Sequence, residues 1–126
     1  MKNTTKLAIW MDHANAHLMN VTADLIETRH IDSEFTHLVK GDALTKSESL
    51  MHNKDQHELL KYFKHLGEVI KQYDEVLLFG PTDAKIELFN HLRADHKFEN
   101  IKIETKNTGK MTENQLQAFA RTHFFN

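Results

Sequence analysis

The sequence predicts a single α/β domain over residues 1–126, with one mixed five-stranded sheet and helices packed on it. Two observations support this fold class. Three short apolar or alternating segments open the chain, and helical and apolar segments then alternate from residue 54 to the end. A length of 126 residues also fits one domain of ordinary size.

The first three predicted strands form a meander. Lys6 to Met11 is apolar on both faces, as expected for a strand inside a sheet. Ala16 to Val21 follows a polar turn and is placed to form a hairpin with the first strand. Leu25 to Ile31 alternates with mixed faces, which indicates partial exposure of a third strand.

Residues 32–53 show no stable hydrophobic period. A loop of this length inside a compact domain is uncommon, and such loops are usually functional or mobile. We therefore expect residues 32–53 to form a mobile loop within the domain.

The second half of the chain alternates helices with strands. Lys54 to Gln72 has strong helical periodicity, and Glu75 to Phe79 is an apolar run typical of a parallel strand covered on both faces. Asp83 to Ala94 predicts a helix, Ile101 to Thr105 alternates like an edge strand, and a last helix follows Thr112. The expected buried side chains of the three helices are, in order, Leu59, Leu60, Phe63, Leu66, Val69, Ile70 and Tyr73; Ile86, Phe89 and Leu92; and Leu116, Phe119, Ala120 with His123 or Phe124.

The order β-β-β-α-β-α-β-α is the topology of the ribonuclease-H-like folds. It raises the alternative of a metal-dependent nuclease or hydrolase that uses Asp12, after the first strand, and Glu58, on the first helix. The fourth strand ends in Leu78-Phe79-Gly80-Pro81, where a further carboxylate is expected, so the set is incomplete. The simpler interpretation makes Asp12 a turn residue and Glu58 a solvated helix charge.

Composition excludes several kinds of chemistry and of binding partner. The chain has no cysteine, which excludes disulfides and thiolate chemistry, and its net charge of −2 gives no footprint for tight, non-specific nucleic-acid binding. No apolar stretch approaches the length of a membrane span, so we expect a cytoplasmic protein with no membrane partner. His13 and His17 are four residues apart but flank a hairpin. Asp12, His13 and His17 are the candidate metal ligands of an alternative interpretation, but their spacing matches no standard metal-binding motif. We therefore expect no metal or other cofactor.

The segment from Gly80 to Lys85 is the most informative local pattern. Free N–H groups at the helix start can hold an anion, and Lys85 adds a positive charge. We therefore name Gly80, Pro81, Thr82 and Lys85 as candidate anion- or RNA-binding residues. In the simpler interpretation, which the sequence alone favours, Gly80 and Pro81 make a tight turn and Thr82 caps the helix.

Lysines also cluster near the last strand. Lys102, Lys106 and Lys110 are spaced to form a basic strip, and the turn Asn107-Thr108-Gly109 lies between them.

Leu77 to Lys85 resembles the middle domain of archaeo-eukaryotic class-1 peptide release factors and of the ribosome-rescue factor Pelota. There, an apolar strand ends in a glycine, and a lysine opens the next helix. The ends of the chain are similar to small bacterial relatives of that domain, described as translational machinery proteins, at Ile9-Trp10-Met11-Asp12-His13, Ala16-His17, Met111-Thr112, Gln115 and His123-Phe124. The resemblance covers most of the chain.

One departure from that family changes the expected function. Release factors hydrolyse peptidyl-tRNA with a Gly-Gly-Gln tripeptide on the loop between the third strand and the first long helix. Here that loop, residues 32–53, holds one glycine, Gly41, and no glutamine. The resemblance therefore implies a non-catalytic module that associates with the ribosome or RNA in translation termination or rescue, with Lys40 and Lys46 as further RNA contacts.

No residue is therefore expected to be catalytic. A further alternative is an anion- or protein-binding adaptor that uses the turn from Gly80 to Lys85. A homodimer through an exposed edge strand is a second expected type of contact.

Overall fold

The computed structural model describes residues 5–22, 24–32 and 48–125, with the backbone alone at residues 32 and 48–58. Its elements are β1 (Lys6–Met11), β2 (Asn15–Val21), β3 (Ile26–Asp32), α1 (Glu48–Ile70), β4 (Glu75–Gly80), α2 (Ala84–Arg93), a short 3₁₀ helix (His96–Phe98), β5 (Lys102–Asn107) and α3 (Glu113–Phe125).

The five strands form one sheet in the order β3-β2-β1-β4-β5. The meander β1-β2-β3 is antiparallel, whereas β4 is parallel to both β1 and β5. In the register, Trp10 of β1 lies between His17 of β2 and Phe79 of β4. The predicted α/β class with a mixed five-stranded sheet is therefore confirmed. So are the position of β1 inside the sheet and the edge position of β5, and β3 lies at the opposite edge.

Strand β1 is buried on both sides because helices cover both faces of the sheet. Leu7, Ile9 and Met11 pack in one cluster with side chains from α1 and α2, on what we call the first face. Ala8 and Trp10 pack in a separate cluster with side chains from α3, on the second face. Alternation of side chains along a strand produces this division.

The second face has a smaller core than the first. Leu77 and Phe79 of β4 meet Leu116 and Ala120 of α3, and all four are at most 2% exposed. Phe79 stacks on the half-buried Phe119 with ring centroids 4.8 Å apart. Burial of one such large side chain stabilises the fold by about 1.5–3 kcal/mol. The predicted inward face of α3 is confirmed.

The predicted buried faces of α1 and α2 were wrong at two positions. Leu60 is 53% exposed and Ile86 is 39% exposed, whereas Tyr62 and Leu88 are buried. In α2 the buried side repeats every four residues through Ala84, Leu88 and Leu92. Ile86 lies half a turn from that line and so faces solvent.

Described elements take up both ends of the segment 32–53, which was predicted to be a loop. Asp32 belongs to β3, and α1 begins at Glu48 instead of Lys54. The remaining residues of that loop, 33–47, lie outside the described residues. The candidate contacts Lys40 and Lys46 lie there as well. Among the described helices, none combines the length and the apolar character that crossing a bilayer requires.

Candidate functional site

Three segments meet at the carboxyl ends of the parallel strands β1, β4 and β5. They are residues 12–15, 80–85 and 107–110, which together we call the carboxyl-end site. Gly80 pairs with Asn107 across β4 and β5, and the backbone N–H of Thr108 donates to the Gly80 carbonyl over 3.1 Å. Edges of this kind are the usual ligand-binding position in α/β sheets.

Gly80 determines how closely β1 and β4 approach at this site. Its φ is +149°, a backbone conformation that residues with a Cβ atom rarely adopt. A Cβ built on Gly80 would lie 2.2 Å from the carbonyl oxygen of Met11, the last residue of β1. The glycine is therefore required both by its conformation and by the contact with Met11.

Most hydrogen bonds at the start of α2 join residues of the turn and of the first helical turn to one another. The hydroxyl of Thr82 accepts from the N–H of Ala84 over 3.2 Å, and the carbonyl of Asp83 accepts from Ile86 and Glu87. The N-cap position itself is Asp83, whose side chain makes no capping bond. Thr82 thus satisfies one N–H of the helix start, one residue earlier than a standard N-cap.

Lys85 is the buried charged residue of this turn. Its side chain is 1% exposed, and its ammonium donates to the carbonyl of Thr82. The aliphatic stem packs inward with the buried side of α2, beside Ala84 and Leu88. The positive charge therefore lies within the turn, beneath the helix start, whereas the carboxylate of Asp83 is on the exposed side.

Asp12 is held by the turn between β1 and β2. One of its carboxylate oxygens accepts from the N–H groups of Ala14 and Asn15, over 2.8 and 2.7 Å. The Asp12 carbonyl also accepts from the Tyr62 hydroxyl of α1 over 3.0 Å. These contacts support the interpretation of Asp12 as a turn residue. The side chain of Glu58, its proposed partner in a nuclease, lies outside the described part of the chain.

The two candidate histidines lie in different environments. The ring of His13 is 3.3 Å from both carboxylate oxygens of Glu87 on α2. The ring of His17 lies between those of Trp10 and His30 on the second face, 3.8 Å from the Glu113 carboxylate. The structure therefore does not bring His13 and His17 together. Within the described ranges, no three His, Asp or Glu side chains are grouped as a metal site would need.

The predicted basic strip borders the carboxyl-end site. Lys102, Lys106 and Lys110 are all exposed. The ammonium of Lys106 lies 6.0 Å from the ring centroid of Phe119 on α3. The adjoining Thr108 hydroxyl is buried without a hydrogen-bond partner among the described residues. Such a group costs free energy unless water or a ligand binds it.

His123 lies beside this strip and links α3 to β5. Its ring is 3.5 Å from the Glu104 carboxylate, and its side chain is 13% exposed. Burial lowers the pKa of His123 below 6.5, although Glu104 opposes that shift, and Lys106 and Lys102 add to it. The imidazole is therefore held toward its neutral form between α3 and the lysines.

Sequence reasoning missed two residues: Tyr62, which contacts the site through the Asp12 carbonyl, and Thr108 within it. Tyr62 lies on the buried side of α1, four residues before Leu66, and this helical spacing was the available signal. For Thr108 there was no such signal, because its burial depends on the contact with Gly80 across the sheet.

Comparison with known proteins gives a likeness of fold alone. No protein-family profile matches the chain, and no curated protein matches its sequence. Pelota of Thermoplasma acidophilum is 15% identical with a TM-score of 0.61, over 92% of this chain and 31% of that one. Pelota of Archaeoglobus fulgidus is 7% identical with a TM-score of 0.62, over 98% of this chain and 32% of that one.

The archaeal translation termination factor aRF1 is similar in the same way. It is 13% identical with a TM-score of 0.55, over 94% of this chain and 38% of that one. This chain therefore spans about a third of the length of the proteins it resembles. The comparisons establish an α/β fold similar to that of part of the Pelota and aRF1 chains.

Proposed function

We propose that this chain is a non-catalytic module that binds RNA of cytoplasmic ribosomes, with a role in translation termination or rescue. We further propose that it corresponds to the middle domain of class-1 release factors and Pelota. The observation that carries the proposal is the similarity of fold over 92% to 98% of the chain to two Pelota proteins and an archaeal termination factor. The sequence resemblance at residues 77–85 supports the same correspondence.

The module is proposed to be non-catalytic because the release tripeptide has no counterpart. Residues 32–53 contain one glycine and no glutamine, so they cannot supply Gly-Gly-Gln. The nuclease alternative is weakened by Asp12, whose carboxylate is engaged by the N–H groups of Ala14 and Asn15. Binding is therefore the activity that the described side chains support best.

The proposed RNA contact is the carboxyl-end site together with Lys102, Lys106 and Lys110. Lys102 and Lys106 lie on the same side of β5, about 13 Å apart along the strand. Glu104, between them, is turned to His123. Exposed ammonium groups on one side of a strand can contact phosphates of a single RNA backbone. Because the net charge is −2, binding must depend on this local patch and must weaken steeply with salt.

Co-sedimentation with ribosomes at low and high salt tests the proposal. We expect the protein in the ribosomal fraction at low salt and its release at high salt. The double variant Lys106→Glu/Lys110→Glu should lower the bound fraction severalfold, because each reversal replaces attraction to phosphate with repulsion.

Lys64→Glu is the control for position, since Lys64 is exposed on α1, over the first face. It should leave the bound fraction close to that of the unchanged protein. Absence from every ribosomal fraction at low salt would overturn the proposed function. Equal losses in the double variant and in Lys64→Glu would overturn the proposed surface.

A further inference from the structure

A pocket lies on the first face of the sheet, at the amino ends of the parallel strands. We call it the amino-end pocket. It has a volume of about 250 Å³ and is lined by the C-terminal part of α1, the end of α2 and the 3₁₀ helix. Pockets for drug-sized ligands usually measure about 300–1,000 Å³. The amino-end pocket therefore suits a smaller ligand.

Gly67 forms the floor of this pocket on the α1 side. A Cβ at that position would lie 3.3 Å from Cζ of Phe98 and 3.5 Å from Cδ2 of Leu92. Both of those side chains are buried, and with the buried Phe63 they complete an apolar floor. A water molecule above such a floor lacks hydrogen-bond partners on one side, so an apolar group displaces it readily.

The exposed ring of His91 forms one wall of the pocket. Its centroid lies 5.9 Å from that of Phe63, and the two ring planes are inclined by 48°. A flat face of this kind can pack against a further ring. The floor and this wall together favour a flat apolar group.

The rim of the pocket carries more positive than negative charge. Its ionised side chains are three ammonium groups and two carboxylates, those of Lys64, Lys71, Lys97, Glu68 and Asp95. Glu68 is paired with Lys71 over 3.2 Å, and the Asp95 carboxylate accepts from the backbone N–H of Lys97. Among the side chains that the structure describes, none forms an ion pair with Lys64 or Lys97. Two ammonium groups, from different elements, are therefore available to a ligand.

We propose that the amino-end pocket binds a small organic acid that consists of one flat ring and one carboxylate. The ring lies on the apolar floor beside His91, and the carboxylate is held by Lys64 and Lys97 at the rim. The excess of one positive charge favours a singly charged anion. A phosphate dianion would be repelled more strongly by Glu68 and Asp95.

The pocket is remote from the undescribed segment 33–47 and from the proposed RNA contact. Residues 33–47 join Asp32 to Glu48, both at the carboxyl ends of the strands, and Gly67 lies about 28 Å from Glu48 along α1. All residues that line the pocket belong to the described ranges. Because the RNA contact is proposed for the opposite end of the sheet, failure of one proposal leaves the other standing.

Titration of the full chain with three probes tests both parts of the ligand. The probes are benzoate, which has a ring and a carboxylate, benzyl alcohol, which has the ring without the charge, and acetate, which has the charge without the ring. Binding is followed by NMR spectroscopy of the backbone amides at constant ionic strength. We expect benzoate to bind with a dissociation constant of about 1 mM and to shift the amide signals of Gly67, Leu92 and Phe98.

The other two probes should each bind at least about tenfold more weakly than benzoate. Acetate that binds as tightly as benzoate would rule out the apolar floor, and benzyl alcohol that does so would rule out the ammonium groups. Either result would overturn the proposal. So would the absence of benzoate-induced shifts at those three amides up to about 20 mM, well above the expected dissociation constant.

Removal of single charges tests the two ammonium groups. Lys64→Gln and Lys97→Gln should each weaken benzoate binding about two- to fivefold, and the double variant should weaken it further. Arg121→Gln is the matched control, because it removes the same charge from an exposed position of α3, over the second face. It should leave the dissociation constant unchanged. Equal losses in Arg121→Gln, or undiminished binding in the double variant, would refute the assignment to Lys64 and Lys97.

Discussion

Gly80 and Met11 are in direct backbone contact at the end of the two parallel strands β4 and β1, where no space remains for a Cβ on the glycine. The nearest atom to such a Cβ would be the Met11 carbonyl oxygen, at 2.2 Å. Relief requires movement of the central strand, because the obstructing atom is backbone. We expect Gly80→Ala to lower the free energy of unfolding by about 2–4 kcal/mol, measured by urea denaturation.

Gly109→Ala is the control for that substitution. A Cβ on Gly109 has no neighbour within 4 Å, and its φ is not positive. The free energy of unfolding should therefore change by less than about 1 kcal/mol. Equal losses in both variants would show that the contact with Met11 is not the reason for the glycine at position 80.

Substitutions of Asp12 distinguish a structural role of its carboxylate from a metal-binding role. Asp12→Ala removes the acceptor for the N–H groups of Ala14 and Asn15 and should cost about 1–2 kcal/mol of unfolding free energy. Asp12→Asn keeps an oxygen acceptor and should cost less. Mg²⁺-stimulated cleavage of RNA that is lost in Asp12→Asn would contradict the turn role and support a nuclease.

Lys85 contributes to stability mainly through its stem. Lys85→Met keeps a long apolar side chain and removes a buried ammonium, so the free energy of unfolding should change by less than about 1.5 kcal/mol. Lys85→Ala leaves a cavity beside Leu88 and should cost about 2–4 kcal/mol in the same denaturation experiment.

The Met variant also tests the anion site at the start of α2. If the ammonium takes part in anion binding, the thermal stabilisation of the unchanged protein by phosphate should disappear in Lys85→Met. Absence of any phosphate effect on the unchanged protein would remove this turn as an anion site.

The lowered pKa of His123 predicts how the stability of the protein depends on pH. Its pKa is lowered in the folded state, first by burial, so the unfolded chain binds the proton more readily. The stability that this residue contributes is present above pH 6.5. It is lost as pH falls from 6.5 through the lowered pKa.

The measurement is the difference in unfolding free energy between the unchanged protein and His123→Asn, from pH 8 to pH 5. As the solution becomes more acidic, the unchanged protein should lose more unfolding free energy than His123→Asn does. His96→Asn, at a ring that is 99% exposed, should leave the profile unchanged. A His123→Asn profile parallel to that of the unchanged protein would exclude burial of the imidazole as the cause.

Much of the fold was predictable because it is encoded by short-range patterns. The apolar runs of β1 and β4 and the alternation of β5 predicted the strands and whether each lies inside the sheet or at its edge, and the structure confirms both. The predicted buried side of α2 was wrong at Ile86 because the prediction began the buried line there, whereas Ala84 and Lys85 begin it in the structure. Lys85 is buried through its stem and lies beside the buried line through Leu88.

The carboxyl-end site was predictable only in part. Gly80 was recognised as a turn residue, but its contact with Met11 depends on which strands are adjacent in the sheet, a long-range property. The same is true of Thr108, whose backbone reaches Gly80, and of His13, which meets Glu87 on a distant helix. Contacts between residues far apart in the chain leave no local period from which they can be predicted.

The central position of β1 has a consequence for biosynthesis. β1 is synthesised before β4 and gains its second neighbour only when Glu75–Gly80 has also emerged from the ribosome, because Lys6 pairs with Glu75. Until then, the backbone N–H and C=O groups on one edge of β1 have no parallel partner. The final, cooperative step of folding must therefore await most of the chain, as is usual for topologies rich in non-local pairing.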